Sequence, residues 1–220
     1  MRFLSAGESH GKALVGILEG MPAGMKLSVE KINNELARRQ KGYGRGGRMK
    51  IETDKAEILS GVRGGITLGS PIAFIIPNRD ASAWTEIMGT EVCDDSKRVV
   101  SEVRPGHADY AGCVKYGFTD ARNILERASA RETATRVAVG AIAKQYLSAL
   151  GIEIASRVVA IGGEYDDGEY AFEDFARADE SPVRALCQDA ESRMIKKIDN
   201  AKENKDTLAE WLKSALKVCQ

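Results

Sequence analysis

The sequence predicts an α+β fold, on three observations. The first half alternates short apolar runs with glycine-rich loops, the pattern of strands and turns. From Arg127 onward apolar residues recur at helical spacing instead. A chain of 220 residues, 43% of them hydrophobic, is long enough to bury a sizeable core. In order, Phe3 to Ala6 reads as a strand, Gly7 to Lys12 as a loop, and Ala13 to Leu18 as a second strand ending in the turn Gly20 to Gly24. Ser28 is placed to cap a helix whose apolar positions Val29, Ile32 and Leu36 share one face. Arg38 and Arg39 fall in its last turn, where cations suit the helix dipole, and the helix ends near Gln40. Ile72 to Ile76, before Pro77, is the clearest buried strand. Ser129-Ala130-Arg131-Glu132 has the form of a capping box, followed by Ala134, Val137, Ala138, Ala141 and Ile142 on one helical face up to Gly151. Ile152 to Gly162 reads as a strand, and a helix after Asp189 would turn Met194, Ile195, Ile198 and Ala201 inward. The end of the chain reads as helical, with a stripe of Leu208, Trp211, Leu212, Ala215 and Leu216. No repeat or low-complexity linker interrupts the chain, and the only candidate domain boundary is the acidic, aromatic stretch Glu164 to Asp179.

Composition narrows the function classes. Thirty-two Lys and Arg cancel 32 Asp and Glu, and the pI is near 6.8, so no global field exists to hold a polyanion. That argues against a nucleic-acid coat protein, and an ordinary balance of apolar and charged residues argues against disorder throughout. No apolar run approaches the roughly 18 residues of a spanning helix. The apolar part of Met1 to Gly7 is too short for a signal peptide, which makes a soluble cytoplasmic protein the expectation. Cys93, Cys113, Cys187 and Cys219 include no C-x-x-C pair, and the histidines do not flank them at zinc-ligand spacing, so neither a structural metal nor a disulfide framework is expected.

The residues with chemistry lie in loops. The chain has two histidines, His10 in Gly7-Glu8-Ser9-His10-Gly11 and His107 in Arg104-Pro105-Gly106-His107-Ala108-Asp109. Imidazoles exchange protons near neutral pH, so the pair could supply an acid and a base, or two acids; the alternative is two solvated or structurally bonded side chains. The first segment also fits the G-x-S-x-G nucleophile elbow, with Ser9 as nucleophile and His107 with Asp109 or Glu8 as partners. An elbow, however, joins a strand to a helix, whereas Ala13 to Leu18 reads as strand. Between Arg38 and Lys50 six cations and no acid are interleaved with glycines, which makes either a solvated basic turn or an anion site. Arginine forks and close-approaching backbone N–H groups suit phosphate or carboxylate, and a small anionic substrate fits the neutral chain better than RNA. Arg127 to Thr133 lies at a helix N-terminus, read either as plain capping by Ser129 or as a second anion-favouring place. Asp94-Asp95 and Asp166-Asp167 have no metal-binding company and read as turn or surface residues. Together these features indicate an anion-binding enzyme with histidine acid or base catalysts.

As a set, Gly7-Glu8-Ser9-His10-Gly11, the run Arg38 to Met49, Arg104-Pro105-Gly106-His107-Ala108-Asp109 and Ser129-Ala130-Arg131-Glu132-Thr133 resemble the signature blocks of the chorismate synthase family, in that family's order and spacing. The resemblance runs from Met1 to about Leu208. It implies a layered sandwich of antiparallel sheets and helices, typically assembled as a homotetramer. It implies a lyase-type 1,4-elimination converting 5-enolpyruvylshikimate 3-phosphate to chorismate and phosphate, the last shared step towards aromatic amino acids. Reduced FMN would be the cofactor, lending an electron transiently to help phosphate leave, and NADPH is a candidate reductant of the flavin. By the same resemblance His10 protonates the departing phosphate and His107 protonates or neutralises the reduced flavin. Arg39, Arg45 and Arg48 hold the substrate's phosphate and carboxylates with Arg131 nearby, and Arg127, Ala128 and Ser129 match FMN-contacting positions, where many relatives have Ser in place of Ala128. No nucleic-acid or membrane partner is implied.

The chain departs from the family pattern after Lys205-Asp206-Thr207. Relatives continue with a glycine pair and a strand, whereas this sequence continues Leu208-Ala209-Glu210-Trp211 and stops at Gln220. The expectation is therefore a family domain over 1–208 followed by a divergent helical tail over 209–220. The C-terminal part that normally supplies most flavin contacts and an Arg-x-Asp base would be lacking, leaving at most weak activity. Three readings stand: a chorismate synthase, a non-catalytic fragment that binds the anionic substrate, and a serine hydrolase using Ser9.

Overall fold

The structure is a computed structural model that describes residues 1–44, 53–91 and 98–218. The chain divides into two compact units, one of Met1–Ala37 with Lys50–Ile142, the other of Arg38–Met49 with Ala143–Gln220. Glu164 to Asp179, the boundary expected from composition, lies inside the second unit.

The first unit opens with β1 (Arg2–Ala6) and β2 (Ala13–Glu19), an antiparallel pair in which Ala6 faces Val15. The helix α1 (Val29–Gln40) begins where expected, the Ser28 Oγ accepting from the Lys31 N–H at 3.2 Å, and it buries Ile32 and Leu36. Short strands β3 (Glu57–Ile58), β4 (Val62–Arg63) and β5 (Ile66–Thr67) precede β6 (Ile72–Pro77). One antiparallel sheet has the order β1-β2-β6-β3, and β4 and β5 form a separate ribbon. Leu14 and Leu18 of β2 and Ile72, Phe74 and Ile76 of β6 alternate inward and are buried. Gly16 is required where it stands, because a Cβ there would meet the Phe74 ring at 2.2 Å.

A 3-10 turn (Arg79–Trp84) follows β6, then the short helices α2 (Asp109–Tyr116) and α3 (Arg122–Ala128). Helical structure thus starts well before Arg127. After a 3-10 turn at Ala130–Glu132 comes α4 (Thr133–Ala149), which buries Ala134, Ala138, Ala141 and Ile142 as its spacing predicts. Ser129 does cap this entry, but the reciprocal half of the box is not used. Glu132 turns instead to the Ser5 hydroxyl at 2.8 Å and the Arg136 guanidinium at 2.9 Å.

The second unit is built on β7 (Ile152–Ile161), β8 (Glu164–Tyr165), α5 (Gln188–Glu203) and β9 (Glu210–Val218), with sheet order β8-β7-β9. Its core is Val158, Ile161, Val183, Ala185, Ala190 and Met194, with Ile195 and Ile198 packed against it, the α5 face expected from sequence. A buried Asp166 ties the unit together. It accepts from the Leu186 N–H at 2.8 Å and the Tyr170 hydroxyl at 2.7 Å, and it pairs with the buried Arg157 at 3.2 Å. Burial pushes the Tyr170 phenol up to about 12, and its bond to Asp166 adds to the shift.

The expected helical tail is not observed: Glu210–Val218 is a strand paired antiparallel with β7, Leu216 facing Ile154 and Leu212 facing Val158. Leu212, Leu216 and Val218 lie an even number of residues apart, so the same side chains fit a period of two as well as a helical stripe. The free edge of β7 decides between them by supplying backbone partners. No helix among the described residues is long and apolar enough to cross a membrane.

Candidate active site

His10 sits in the connection between β1 and β2. That loop starts at Gly7, whose φ of +101° is reserved for glycine and whose absent Cβ would meet the Ala13 carbonyl oxygen at 2.4 Å. Asn78, buried just after β6, clamps the loop from one side. Its Nδ2 donates to the Glu8 and Gly11 carbonyls at 3.1 and 2.7 Å, and its own N–H donates to the Lys12 carbonyl at 3.1 Å. Arg131 fixes that amide in turn, donating from Nε to Asn78 Oδ1 at 2.8 Å while Nη1 pairs with the buried Asp54 at 2.5 Å. Opposite, the Ser9 N–H donates to the Glu126 carbonyl at 2.9 Å.

The His10 ring is surrounded by groups from three other segments. Its Nδ1 lies 2.9 and 2.8 Å from the two Glu126 carboxylate oxygens, and the His10 N–H donates to Oε2 at 3.0 Å. Arg122 Nη1 donates to the same carboxylate at 3.1 Å. One face of the ring stacks on Trp84, with centroids 3.8 Å apart. The Trp84 indole N–H donates to Asp80, whose carboxylate stands 3.9 Å from His10 Nε2, beyond a direct hydrogen bond. The guanidinium carbons of Arg98 and Arg122 lie 4.0 and 5.3 Å from the Trp84 ring centroid, and the His10 side chain keeps 19% of its surface.

His107 lies in the turn that enters α2. Its Nδ1 is 2.5 Å from the carboxylate of Asp109, which is fully buried and also receives Arg104 Nε at 2.9 Å and the Arg104 N–H at 3.2 Å. The Arg104 guanidinium, joined by its backbone N–H and His107, holds the Asp109 carboxyl down to about 2 against the opposing effect of burial. The helices behind the two histidines approach closely, since a Cβ on Gly112 of α2 would meet Ile124 of α3 at 2.5 Å.

The other residues singled out in the sequence fall into three groups. Arg45 and Arg48 lie outside the described residues, as do Cys93, Asp94-Asp95 and Cys219. Arg39 occupies the last turn of α1, half-buried. Arg131, expected beside the substrate, is buried and bonds to Asp54, Asn78 and the Pro77 carbonyl, and through Asn78 it holds the His10 loop. A guanidinium at a helix entry looks the same in sequence whether it faces water or a carboxylate 77 residues away. Likewise Asp166, expected in a turn or on the surface, is buried.

Arg127, Ala128 and Ser129 close α3 and cap the following turn. Arg127 Nη2 donates to the Ser5 carbonyl and hydroxyl at 2.9 and 2.7 Å and keeps 39% of its side chain exposed; Ala128 is exposed, and Ser129 Oγ accepts from the Arg131 N–H. Arg127 also stands 3.7 Å from Glu132, and a half-exposed cation beside a hydroxyl is chemistry that the anionic end of a nucleotide cofactor would use. The elbow reading fails on geometry: Ser9 is 2% exposed and its loop joins two antiparallel strands. Glu126, Asn78, Trp84 and Asp80 were not legible as site residues. The one sequence signal for Glu126 is a carboxylate directly after the apolar pair Ile124-Leu125, a setting that asks for a buried partner.

Comparison with known proteins gives a consistent result. The family model described as "Chorismate synthase" matches residues 1–217. The chain is 54% identical over 208 residues to the chorismate synthase of Alkaliphilus metalliredigens, and 54% identical over 216 residues to chorismate synthase 1 of Bacillus thuringiensis. Each alignment covers 94% of this chain and 55% of the relative, so the chain spans about half the length of the curated relatives it matches. A solved structure titled "Crystal Structure of Chorismate Synthase" superposes with a TM-score of 0.76 at 43% identity, covering 98% of this chain and 57% of that one. With a family match running through both histidine loops and through the Arg131 segment, the chain belongs to the chorismate synthase family.

Proposed function

We propose that the chain carries chorismate synthase chemistry as a lyase of aromatic amino acid biosynthesis, eliminating phosphate from 5-enolpyruvylshikimate 3-phosphate to leave chorismate. The observation that carries this reading is the setting of His10. A partly open imidazole is fixed by Nδ1 on the buried Glu126 carboxylate, which it shares with Arg122, and Nε2 is left as the edge from which a proton can pass to an anionic leaving group. In a 1,4-elimination the breaking C–O bond leaves its electron pair on the phosphate oxygen. His10 gives that oxygen its proton. The cationic run from Arg38, with Arg39, Arg45 and Arg48, binds the substrate's other anionic groups. Reduced FMN, with NADPH as a reductant, supplies electron density to the allylic system when bound. Arg127, Ala128 and Ser129 would hold its anionic end, and His107, oriented by Asp109, would be the proton-exchanging side chain beside it. The exposed aromatic and apolar side chains Tyr110, Val114, Tyr116 and Phe118 around α2 support self-association, and we place the active form as a homotetramer.

The test is anaerobic turnover with chemically reduced FMN, followed by chorismate absorbance, on a sample whose mass is read by light scattering. The expected result is turnover by a tetramer that falls about 10²-fold or more in His10→Ala and in His107→Ala. A folded protein that forms no chorismate, or a His10→Ala variant that keeps its rate, would overturn the proposal.

A further inference from the structure

We propose that Glu126 is a positioning residue for His10, its buried carboxylate accepting a hydrogen bond from Nδ1–H so that Nε2 is the nitrogen that exchanges a proton with ligand. This rests on the reading of His10 as the acid. Glu126 is 1% exposed, and a carboxylate so buried must have its oxygens satisfied. They receive one guanidinium, Arg122 at 3.1 Å, one backbone N–H, that of His10 at 3.0 Å, and the imidazole at 2.8 Å. A carboxylate paired with a guanidinium accepts hydrogen bonds and does not donate them, so Nδ1 has to be the protonated nitrogen.

Three further contacts keep this arrangement in place. The Ser9 N–H bonds to the Glu126 backbone carbonyl at 2.9 Å, so residue 126 grips the loop by main chain and side chain together. Trp84 covers a face of the ring and opposes a flip that would swap Nδ1 with Cδ2 and take that nitrogen off the carboxylate. On the far edge, Asp80 is 3.9 Å from Nε2, too far to take its proton directly. The proton balance follows. The ring donates from Nε2 to the phosphate oxygen that has received the C–O electron pair, and it is left neutral with its proton on Nδ1. Free imidazole prefers the opposite tautomer, so without Glu126 the neutral ring would hold its proton on the edge that faces ligand.

The experiment reads the tautomer itself. Long-range ¹H–¹⁵N spectra of the labelled full chain, recorded above the imidazole titration, distinguish a protonated from a bare ring nitrogen, and with two histidines assignment needs one variant. His10 is expected as the Nδ1–H form in the wild-type protein and as the Nε2–H form in Glu126→Ala, with His107 unchanged. Glu126→Gln, which keeps an acceptor oxygen, restores the Nδ1–H form. A wild-type His10 in the Nε2–H form overturns the proposal, and that spectrum suffices even where the alanine variant does not fold. So does a folded Glu126→Ala with the wild-type pattern. In turnover, Glu126→Ala is expected to lower kcat about 10²-fold or more with KM little changed, and an unchanged kcat overturns the proposal equally. Absence of turnover in the wild-type protein would strike the reading of His10 as an acid, while the tautomer result would still decide the role of Glu126.

Discussion

His10 and His107 are held by the same device built in two different ways. Each presents Nδ1 to a buried carboxylate, but the partner of His10 lies 116 residues along the chain and that of His107 only two. Asp109 is steadied by Arg104, whose side chain is 53% exposed, within a six-residue turn. The His10 site draws on the β1–β2 loop, the residues after β6 and the helix α3, and its supports Asn78, Glu126 and Arg131 are all buried. A site made within one turn can form before the rest of the unit is in place. A site made from three distant segments exists only when the fold does. His10 should therefore answer to the scaffold, and His107 to its local charges.

The largest expected effect tests the first half of that contrast. Arg131→Met leaves the carboxylate of Asp54 buried without its cation, and removing one member of a buried pair costs about 3–5 kcal/mol. It also frees the Asn78 amide that clamps the His10 loop. Urea unfolding should show the loss. Native-state hydrogen exchange should show the Ser9 and His10 amides opening faster, with the His107 amide less affected. Equal acceleration at both loops would mean that the two sites share one support, and the contrast would fail.

A smaller effect tests the second half, and its sign follows from Asp109. The folded carboxyl titrates at about 2 against an ordinary value of 3.8, a depressed value, so the stability it supplies is present above pH 4 and lost as pH falls from about 4 to 2. With Arg104 half in water the contribution is about 1–2 kcal/mol. Unfolding midpoints of wild type and Asp109→Asn should differ at pH 5 and converge towards pH 2.5. A difference that persists at low pH would place the interaction in packing rather than charge.

What the sequence discloses follows the same line between local and distant contacts. The Ser28 cap, the inward face of α4 and the strands β1, β2, β6 and β7 were legible because each depends on neighbours within a few residues. Both histidines were legible from their glycine loops, and Asp109 stood beside one of them. Glu126, Asn78 and Trp84 were not, because nothing within a few residues of any of them names His10. Arg131 was noticed, but its pairing with Asp54 was not legible, since Asp54 is brought to it only by folding. The last strand was misread for a related reason, its side chains fitting two periods and the open edge of β7 choosing between them.

The smallest expected effect isolates the one support of His10 that has no counterpart at His107. Trp84 stacks on the imidazole with 24° between the planes, and the Arg98 guanidinium lies 4.0 Å from the indole centroid. An aromatic pair of this kind contributes about 0.5–1.5 kcal/mol beyond the area it buries, which for a chain of this size lowers the thermal midpoint of Trp84→Leu by about 2–4 °C. Its value lies in what should stay the same. Trp84 restrains the plane of the ring, whereas Glu126 selects the nitrogen, so the variant should broaden the His10 ring resonances and still show the Nδ1–H form. Loss of that form would mean that stacking, not the carboxylate, sets the tautomer. The two histidine sites would then differ in the principle of their construction and not only in where their carboxylates come from.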